Sequence, residues 1–191
     1  MILYKFDCET LIMPDVVADT ATYRDVVETM EVKGIDNTLP VVGDKYTLGN
    51  ATFTILGPVD VYEDRNDNSV CVLLEHGENS FLFTGDAQED AEADLVDLDI
   101  NIDADVYKVA HHGSSSSSTR DFLDEVTPDY AVISCGEDNS YGHPHSEVLN
   151  NLRMMGANVF RTDEQGSVVV TSDGEVLTWN CAPTESWQMG R

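Results

Sequence analysis

The sequence predicts an α+β domain built on one mixed β-sheet, with helices on one face of the sheet. Three observations support this class. Two apolar hairpins come first, around Gly49-Asn50 and Gly77-Glu78-Asn79, helical and strand patterns then alternate as far as Phe160, and a last hairpin turns at Asp173-Gly174. Hairpins join antiparallel strands and helical crossovers join parallel ones, so the sheet is expected to contain both kinds of pairing.

Four segments have the apolar spacing and end signals of helices: 20–33, 87–98, 120–126 and 146–155. Thr20 or Thr22 is the expected cap of the first helix, and Gly34 is its expected end. Ser118 or Thr119 is the expected cap of the third, so the serine run before it is interpreted as a loop.

Strands are predicted at 10–13, 46–48, 51–56, 69–75, 80–84, 106–110, 130–134, 159–160, 168–171 and 176–179. The segments 69–75 and 80–84 are almost wholly apolar, which is typical of strands in the middle of a covered sheet. With 106–110 and 130–134 they are expected to form its centre. Residues 1–180 are therefore assigned to one domain, and residues 181–191 are expected to be a loose tail.

The charge is strongly unbalanced, with 36 acidic residues against 10 basic ones and a formal net charge of −26. Such a surface repels nucleic acid and anionic membranes, so non-specific nucleic-acid binding is not expected. There is no apolar run of about 18 residues and no signal peptide pattern. Location is therefore cytoplasmic by default, or extracellular if the true start of the protein lies upstream. No cysteine forms a CxxC pair, which disfavours a cysteine zinc knuckle.

Four of the five histidines, with one aspartate, lie at strand ends or in loops. Asp86 follows strand 80–84, His111 and His112 follow strand 106–110, and His143 and His145 lie beyond strand 130–134. Carboxylate and imidazole are suitable ligands for zinc or a similar divalent ion. Because neighbouring residues of an extended strand point to opposite faces, only one of His111 and His112 is expected to face a metal. The remaining histidine, His76, is expected to be a solvent-exposed turn residue.

Three motifs together resemble the metallo-β-lactamase superfamily, and most of all its ComEC-like branch of competence proteins. They are Thr84-Gly85-Asp86, Lys-Val-Ala-His-His-Gly-Ser at 108–114 and Asn-Ser-Tyr-Gly-His-Pro-His at 139–145. The resemblance extends from about Ile12 to Trp179. It implies an αββα sandwich that performs metal-dependent hydrolysis of a phosphodiester or other small ester, with one or two zinc ions in the complete site.

The resemblance also implies roles for single residues. In the family, the aspartate of the Thr-Gly-Asp motif bridges two metals, and the histidine before the glycine of His-His-Gly is a ligand of the second metal. Carried onto this chain, these metal ligands are Asp86 and His112, with His111 as a neighbour or alternate ligand.

Tyr141, His143 and His145 are candidate catalytic residues, together with His111. Hydrolysis of a phosphodiester needs charge stabilisation on the phosphoryl oxygens and a proton for the leaving group, and imidazoles and a phenol supply such donors. In the alternative interpretation, His143 or His145 caps the helix that begins near Ser146, and Tyr141 packs on the core.

One family feature is missing from the sequence. A His-x-His-x-Asp-His motif supplies most metal ligands in the family, but residues 1–80 contain a single histidine, His76. The chain is therefore expected to correspond to the second half of the sandwich, with one sheet face open. Two ligands hold zinc weakly, so the chain alone is expected to bind zinc weakly or not at all and to be inactive unless self-association or another chain completes the site. The alternative is a non-catalytic remnant or binding module. An in-frame His-x-His-x-Asp-His upstream would favour the hydrolase.

Overall fold

A computed structural model describes residues 2–190 and has a seven-stranded sheet at its centre. The helices are α1 (Ile2–Lys5), α2 (Ala21–Lys33), α3 (Glu89–Val96), α4 (Arg120–Val126), α5 (Ser146–Met155) and α6 (Thr162–Gln165), with a 3₁₀ turn at Ala110–Gly113. The strands are β1 (Leu11–Ile12), β2 (Asn37–Thr38), β3 (Lys45–Leu48), β4 (Ala51–Gly57), β5 (Cys71–His76), β6 (Asn79–Phe83), β7 (Val106–Lys108), β8 (Tyr130–Ile133), β9 (Asn158–Arg161), β10 (Val170–Ser172) and β11 (Leu177–Trp179).

The central sheet has the strand order β3-β4-β5-β6-β7-β8-β9. Its first four strands pair antiparallel, and β6 to β9 pair parallel. Each parallel step passes through one helix, α3, α4 or α5 in turn, because a strand can return in the same direction only through a crossover. The predicted mixed α+β class is confirmed, as are the four central strands.

The buried face of the sheet is formed by one row of side chains across five neighbouring strands. The row consists of Leu73, Leu82, Tyr107, Ala131 and Val159, which are register partners and at most 6% exposed. It belongs to the same apolar cluster as helix residues Ala91, Leu95, Phe122, Leu123, Val126, Val148, Leu149 and Leu152. Helices α3 to α5 therefore cover this face, as predicted.

The opposite face is only partly covered. Trp179 of β11 stacks on Phe160 with ring centroids 4.0 Å apart, and it lies 5.2 Å from the Tyr130 ring, so the β10–β11 hairpin protects this end. At the other end an open apolar cavity of about 460 Å³ is lined by residues that include Leu74 and Phe83. Phe83 is 39% exposed, which agrees with the expectation of an open face. That the chain is half of a longer fold stays a prediction.

The helix ends agree with the capping signals. The Thr20 hydroxyl accepts the Tyr23 N–H at 3.1 Å at the start of α2, and Gly34 ends this helix at φ +66°. Thr119 caps α4 by accepting the Phe122 N–H at 3.4 Å. The two four-residue helices, α1 and α6, were not predicted, because neither is long enough to show an apolar period.

Residues 181–190 contain no helix or strand. The Thr184 N–H donates to the Val159 carbonyl at 2.7 Å, and the Gly190 N–H donates to the Pro144 carbonyl at 3.0 Å. Residue 1 of the predicted domain and residue 191 of the predicted tail lie outside the described residues. Within 2–190, no helix combines the length and the apolar character needed to cross a membrane.

Candidate active site

The three motifs meet at one edge of the sheet. Asp86 lies three residues beyond β6, the 3₁₀ turn begins two residues beyond β7, and the segment 134–145 follows β8. These strands are adjacent and parallel, so their carboxyl ends share one edge, which is where ligands bind in parallel sheets.

Asp86 and His112 converge at this edge. The His112 Nε2 atom lies 3.5 Å from the Asp86 Oδ1 atom. His112 Nδ1 donates to the Ser134 carbonyl at 2.7 Å, so in the neutral ring the lone pair is on Nε2 and faces Asp86. Two donors bound to one tetrahedral ion through bonds of about 2.1 Å would stand about 3.4 Å apart. The pair therefore fits two positions of a divalent-metal site.

His111 and His112 do not lie on an extended strand, and the prediction that they point to opposite sheet faces is wrong. Their φ angles are +45° and +58° within the 3₁₀ turn, a left-handed conformation that non-glycine residues rarely adopt. The turn is stabilised because the His111 N–H donates to the Gly85 carbonyl at 3.1 Å and the His111 carbonyl accepts the Ser114 N–H at 2.9 Å. As a result both rings lie at the same edge, with centroids 5.8 and 6.3 Å from that of His143.

His143 lines the cavity beside His112. The cavity has a volume of about 340 Å³, and its lining residues are His112, Ser134, Cys135, Gly136, Asn139, Tyr141 and His143. Asn139 clamps the His143 backbone by accepting its N–H at 2.9 Å and donating to its carbonyl at 2.6 Å. Burial lowers the pKa of His143, and the neighbouring imidazoles lower it further. Both effects favour the neutral ring, against the opposing charge of Asp86.

Tyr141 stands at the mouth of the cavity. Its side chain is 76% exposed, and its ring stacks on His143 at 5.5 Å with an interplanar angle of 18°. The alternative that Tyr141 packs on the core is therefore wrong.

His145 connects two loops through both ring nitrogens. Nδ1 accepts the Ser115 N–H at 2.9 Å, and Nε2 donates to the Tyr141 carbonyl at 3.1 Å. The residue occupies the N-cap position of α5, but its side chain makes no capping hydrogen bond. In this arrangement neither ring nitrogen is free to contact a substrate, and the catalytic role of His145 stays a prediction.

Gly113 allows the two histidine loops to touch. Its φ is +83°, and a Cβ atom at this position would lie 2.7 Å from the Pro144 Cβ. The Gly113 carbonyl also accepts the His145 N–H at 2.9 Å. A larger residue would push these loops apart, which explains the glycine of the His-His-Gly motif.

Several residues near the site were missed by sequence reasoning. The Ser116 hydroxyl lies 3.3 Å from His111 Nδ1, within a serine run interpreted only as a loop. Lys108 is half-buried beneath the site; burial lowers its pKa, while the charge of Asp86 opposes that shift. The position of Lys108 directly before Val-Ala-His-His was the one available signal. Away from the site, the expectation that His76 is exposed to solvent is wrong, because the residue is half-buried and its Nδ1 lies 3.0 Å from the Ser172 hydroxyl.

A larger group of metal-binding side chains is absent from the described residues. Nowhere in residues 2–190 do three or more His, Cys, Asp or Glu side chains form a group that could hold a metal ion. Stable zinc sites use three or four protein ligands, more than the two donors of the Asp86–His112 pair.

The comparisons agree with this fold and these motifs. The chain belongs to the metallo-beta-lactamase superfamily, whose family model matches residues 36–137, more than half of the 191 residues. The match includes Asp86, His111 and His112, and it ends before Tyr141.

Among curated proteins, three relatives have the names of competence or recombination proteins, as in the ComEC-like branch. ComE operon protein 3 of Bacillus subtilis is 34% identical over 74% of this chain and 18% of its own length. Competence protein ComA of Neisseria gonorrhoeae is 38% identical over 55% of this chain and 15% of its own length. Recombination protein 2 of Haemophilus influenzae is 37% identical over 62% of this chain and 15% of its own length.

The chain thus spans less than a fifth of the length of these relatives. Among solved structures, CmlA beta-hydroxylase matches with a TM-score of 0.47 and 11% identity, over 80% of this chain and 38% of that one.

Proposed function

We propose that this chain contributes to a metal-dependent hydrolase that cleaves a phosphodiester or another small ester. The observation that carries the proposal is the Asp86–His112 pair, whose 3.5 Å separation matches that of two ligands on one ion. The Ser134 carbonyl holds the His112 ring through Nδ1, as expected for an imidazole that presents Nε2 to a metal. Superfamily membership makes zinc the first ion to test.

The other cavity residues would contact the substrate. A divalent ion bound at Asp86 and His112 would polarise the substrate and activate water. His143 lines the same cavity, and burial favours its neutral form, in which the ring can donate a hydrogen bond to a phosphoryl oxygen without adding charge. Tyr141 adds a phenol at the mouth. In a protein with a net charge of −26, such donors and the metal are what would hold an anionic substrate.

We further propose that residues 2–190 bind zinc weakly by themselves and that further ligands come from another segment or another chain, including a second copy. Two donors rather than three or four support this part. The same observation favours the second candidate function, a binding module that retains the fold without catalysis. A role in competence or recombination, as in the names of the relatives, belongs to this proposal. Non-specific nucleic-acid binding does not, because the net charge opposes it.

A zinc titration followed by nuclear magnetic resonance of the histidine ring nitrogens tests the metal site at weak affinity. We expect the His112 Nε2 resonance to shift as zinc is added, and we expect Asp86→Ala and His112→Ala to weaken binding. His76→Ala is the control, because this half-buried histidine bonds to Ser172 away from the site. Equal zinc affinity in the wild type and in Asp86→Ala would contradict the assignment.

Hydrolysis of a chromogenic phosphodiester and a chromogenic carboxylic ester, at saturating zinc or manganese, separates the two candidate functions. For a hydrolase whose site is completed by self-association we expect slow, metal-dependent turnover that rises with protein concentration, is lost in Asp86→Ala and is kept in His76→Ala. Zinc binding without turnover above that of Asp86→Ala would support the binding module instead.

A further inference from the structure

The Thr-Gly-Asp turn rests on a loop that belongs to no family motif quoted above. This loop, 66–69, is part of the connection between β4 and β5, and its residues Asp67 and Asn68 are each only 3% exposed. Asn68 binds the loop to the preceding part of the same connection, since its side-chain amide donates to the carbonyls of Tyr62 at 2.9 Å and Asp64 at 2.8 Å. The loop is therefore a braced part of the fold.

Ser69 contacts the turn directly. Its hydroxyl accepts the Asp86 N–H at 3.0 Å. Gly85 has φ +58°, and a Cβ atom there would lie 2.8 Å from the Ser69 hydroxyl oxygen and 2.9 Å from its Cβ. The glycine of Thr-Gly-Asp thus makes room for Ser69, which lies against the backbone that carries the Asp86 carboxylate.

Asp67 holds the chain immediately after Asp86. Its Oδ1 accepts the Gln88 N–H at 2.7 Å and the Ala91 N–H at 3.4 Å. Helix α3 needs such an acceptor, because Gln88 occupies its N-cap position without a side-chain capping bond. A carboxylate at this helix end also interacts favourably with the helix dipole.

The backbone N–H groups from Asp86 to Glu89 therefore all have known partners. The Ala87 N–H donates to the Thr84 carbonyl at 3.1 Å, and the Glu89 N–H donates to the Ser116 carbonyl at 3.0 Å. The remaining two, of Asp86 and Gln88, donate to Ser69 and Asp67. Half of the bonds that fix this stretch thus come from the 66–69 loop.

We propose that Ser69 and Asp67 are positioning residues for Asp86: they fix the backbone on both sides of it so that its carboxylate faces His112. The proposal rests on the proposed function, in which Asp86 is a metal ligand. With the backbone held, only the two side-chain torsions of Asp86 remain to be set, so little order has to be gained when an ion binds. Partners that orient metal ligands in this way typically contribute 10–100-fold in affinity.

The test uses Ser69→Ala and two variants of Asp67. In the apo protein, amide hydrogen exchange at Asp86 should accelerate about fivefold in Ser69→Ala, the equivalent of one net hydrogen bond. The zinc affinity read from the His112 ring resonance should fall about 10-fold. Asp67→Ala should also weaken zinc binding, whereas Asp67→Asn should largely restore it, because one carbonyl oxygen suffices for the Gln88 and Ala91 N–H groups.

Ser172→Ala is the matched control, since this hydroxyl bonds to His76 and Asn79 away from the site; it should change neither readout. Unchanged Asp86 exchange in Ser69→Ala, or equal zinc affinity in the wild type, Ser69→Ala and Asp67→Ala, would overturn the positioning role. If the wild type bound no zinc at all, the proposed function would fail, and the exchange measurement would still decide whether Ser69 holds Asp86.

Discussion

Glu92 offers a sharp test of the packing beneath the site. Its side chain is 0% exposed, and its carboxylate accepts the N–H groups of Ser118 at 2.6 Å and Thr119 at 2.9 Å. Burial raises the pKa of Glu92 from 4.5 to about 7, against the opposing effect of these two hydrogen bonds, and the nearby Asp67 adds to the rise. Glu92→Gln removes the ionisation while nearly preserving the volume.

The sign and size of the effect follow from this pKa. The folded protein holds the Glu92 proton more tightly than the unfolded chain. The contribution of Glu92 to the free energy of unfolding is therefore fully present below about pH 4.5 and is lost as the pH rises through about 7. One pKa unit corresponds to about 1.4 kcal/mol, so this group lowers the free energy of unfolding by about 3 kcal/mol across the interval. The Glu92→Gln protein lacks this decline.

Urea denaturation from pH 4.5 to pH 8 measures the difference, in high salt so that the many surface acids are screened. We expect Glu92→Gln to gain about 3 kcal/mol relative to the wild type as the pH rises through this range. The control is Glu89→Gln, an exposed acid on the same helix, whose curve should stay parallel to that of the wild type. Parallel curves for the wild type and Glu92→Gln would refute a buried carboxyl that titrates near neutrality.

Three further predictions concern the loops and the core. Gly113→Ala should destabilise the protein by about 1–3 kcal/mol more than Gly142→Ala in urea denaturation, because both positions have positive φ but only Gly113 meets a neighbouring side chain; equal losses would remove the contact as the cause. Leu82→Ala, in the centre of the buried sheet face, should lower the free energy of unfolding by about 2–5 kcal/mol, whereas Leu48→Ala, 64% exposed, should change it by less than about 0.5 kcal/mol. In an intact relative that carries the missing His-x-His-x-Asp-His motif, a change to alanine at the position equivalent to His143 should lower turnover and leave the bound zinc unchanged; a loss of zinc would make this histidine a ligand instead.

Local signals in the sequence were enough to predict most helices and strands. Thr20 and Gly34 delimit α2 as predicted, because a side chain that accepts an N–H and a residue that tolerates positive φ act over three or four positions of the chain. Thr119 does the same for α4. The parallel pairing of β6 and β7 then brings Asp86 and His112 to one sheet edge, since parallel strands present their carboxyl ends together.

The tertiary structure alone decided how these residues are held. The left-handed turn at His111 and His112 depends on a hydrogen bond to the Gly85 carbonyl, which lies in the segment that follows β6. No local sequence pattern predicts such a contact. Likewise Ser69 and Glu92 are 17 and 26 positions from the groups they bind. The sequence by itself determined which residue types reach the site, because periodicity and capping are local; their orientation was decided by hydrogen bonds between distant segments, which form only once the sheet has brought those segments together.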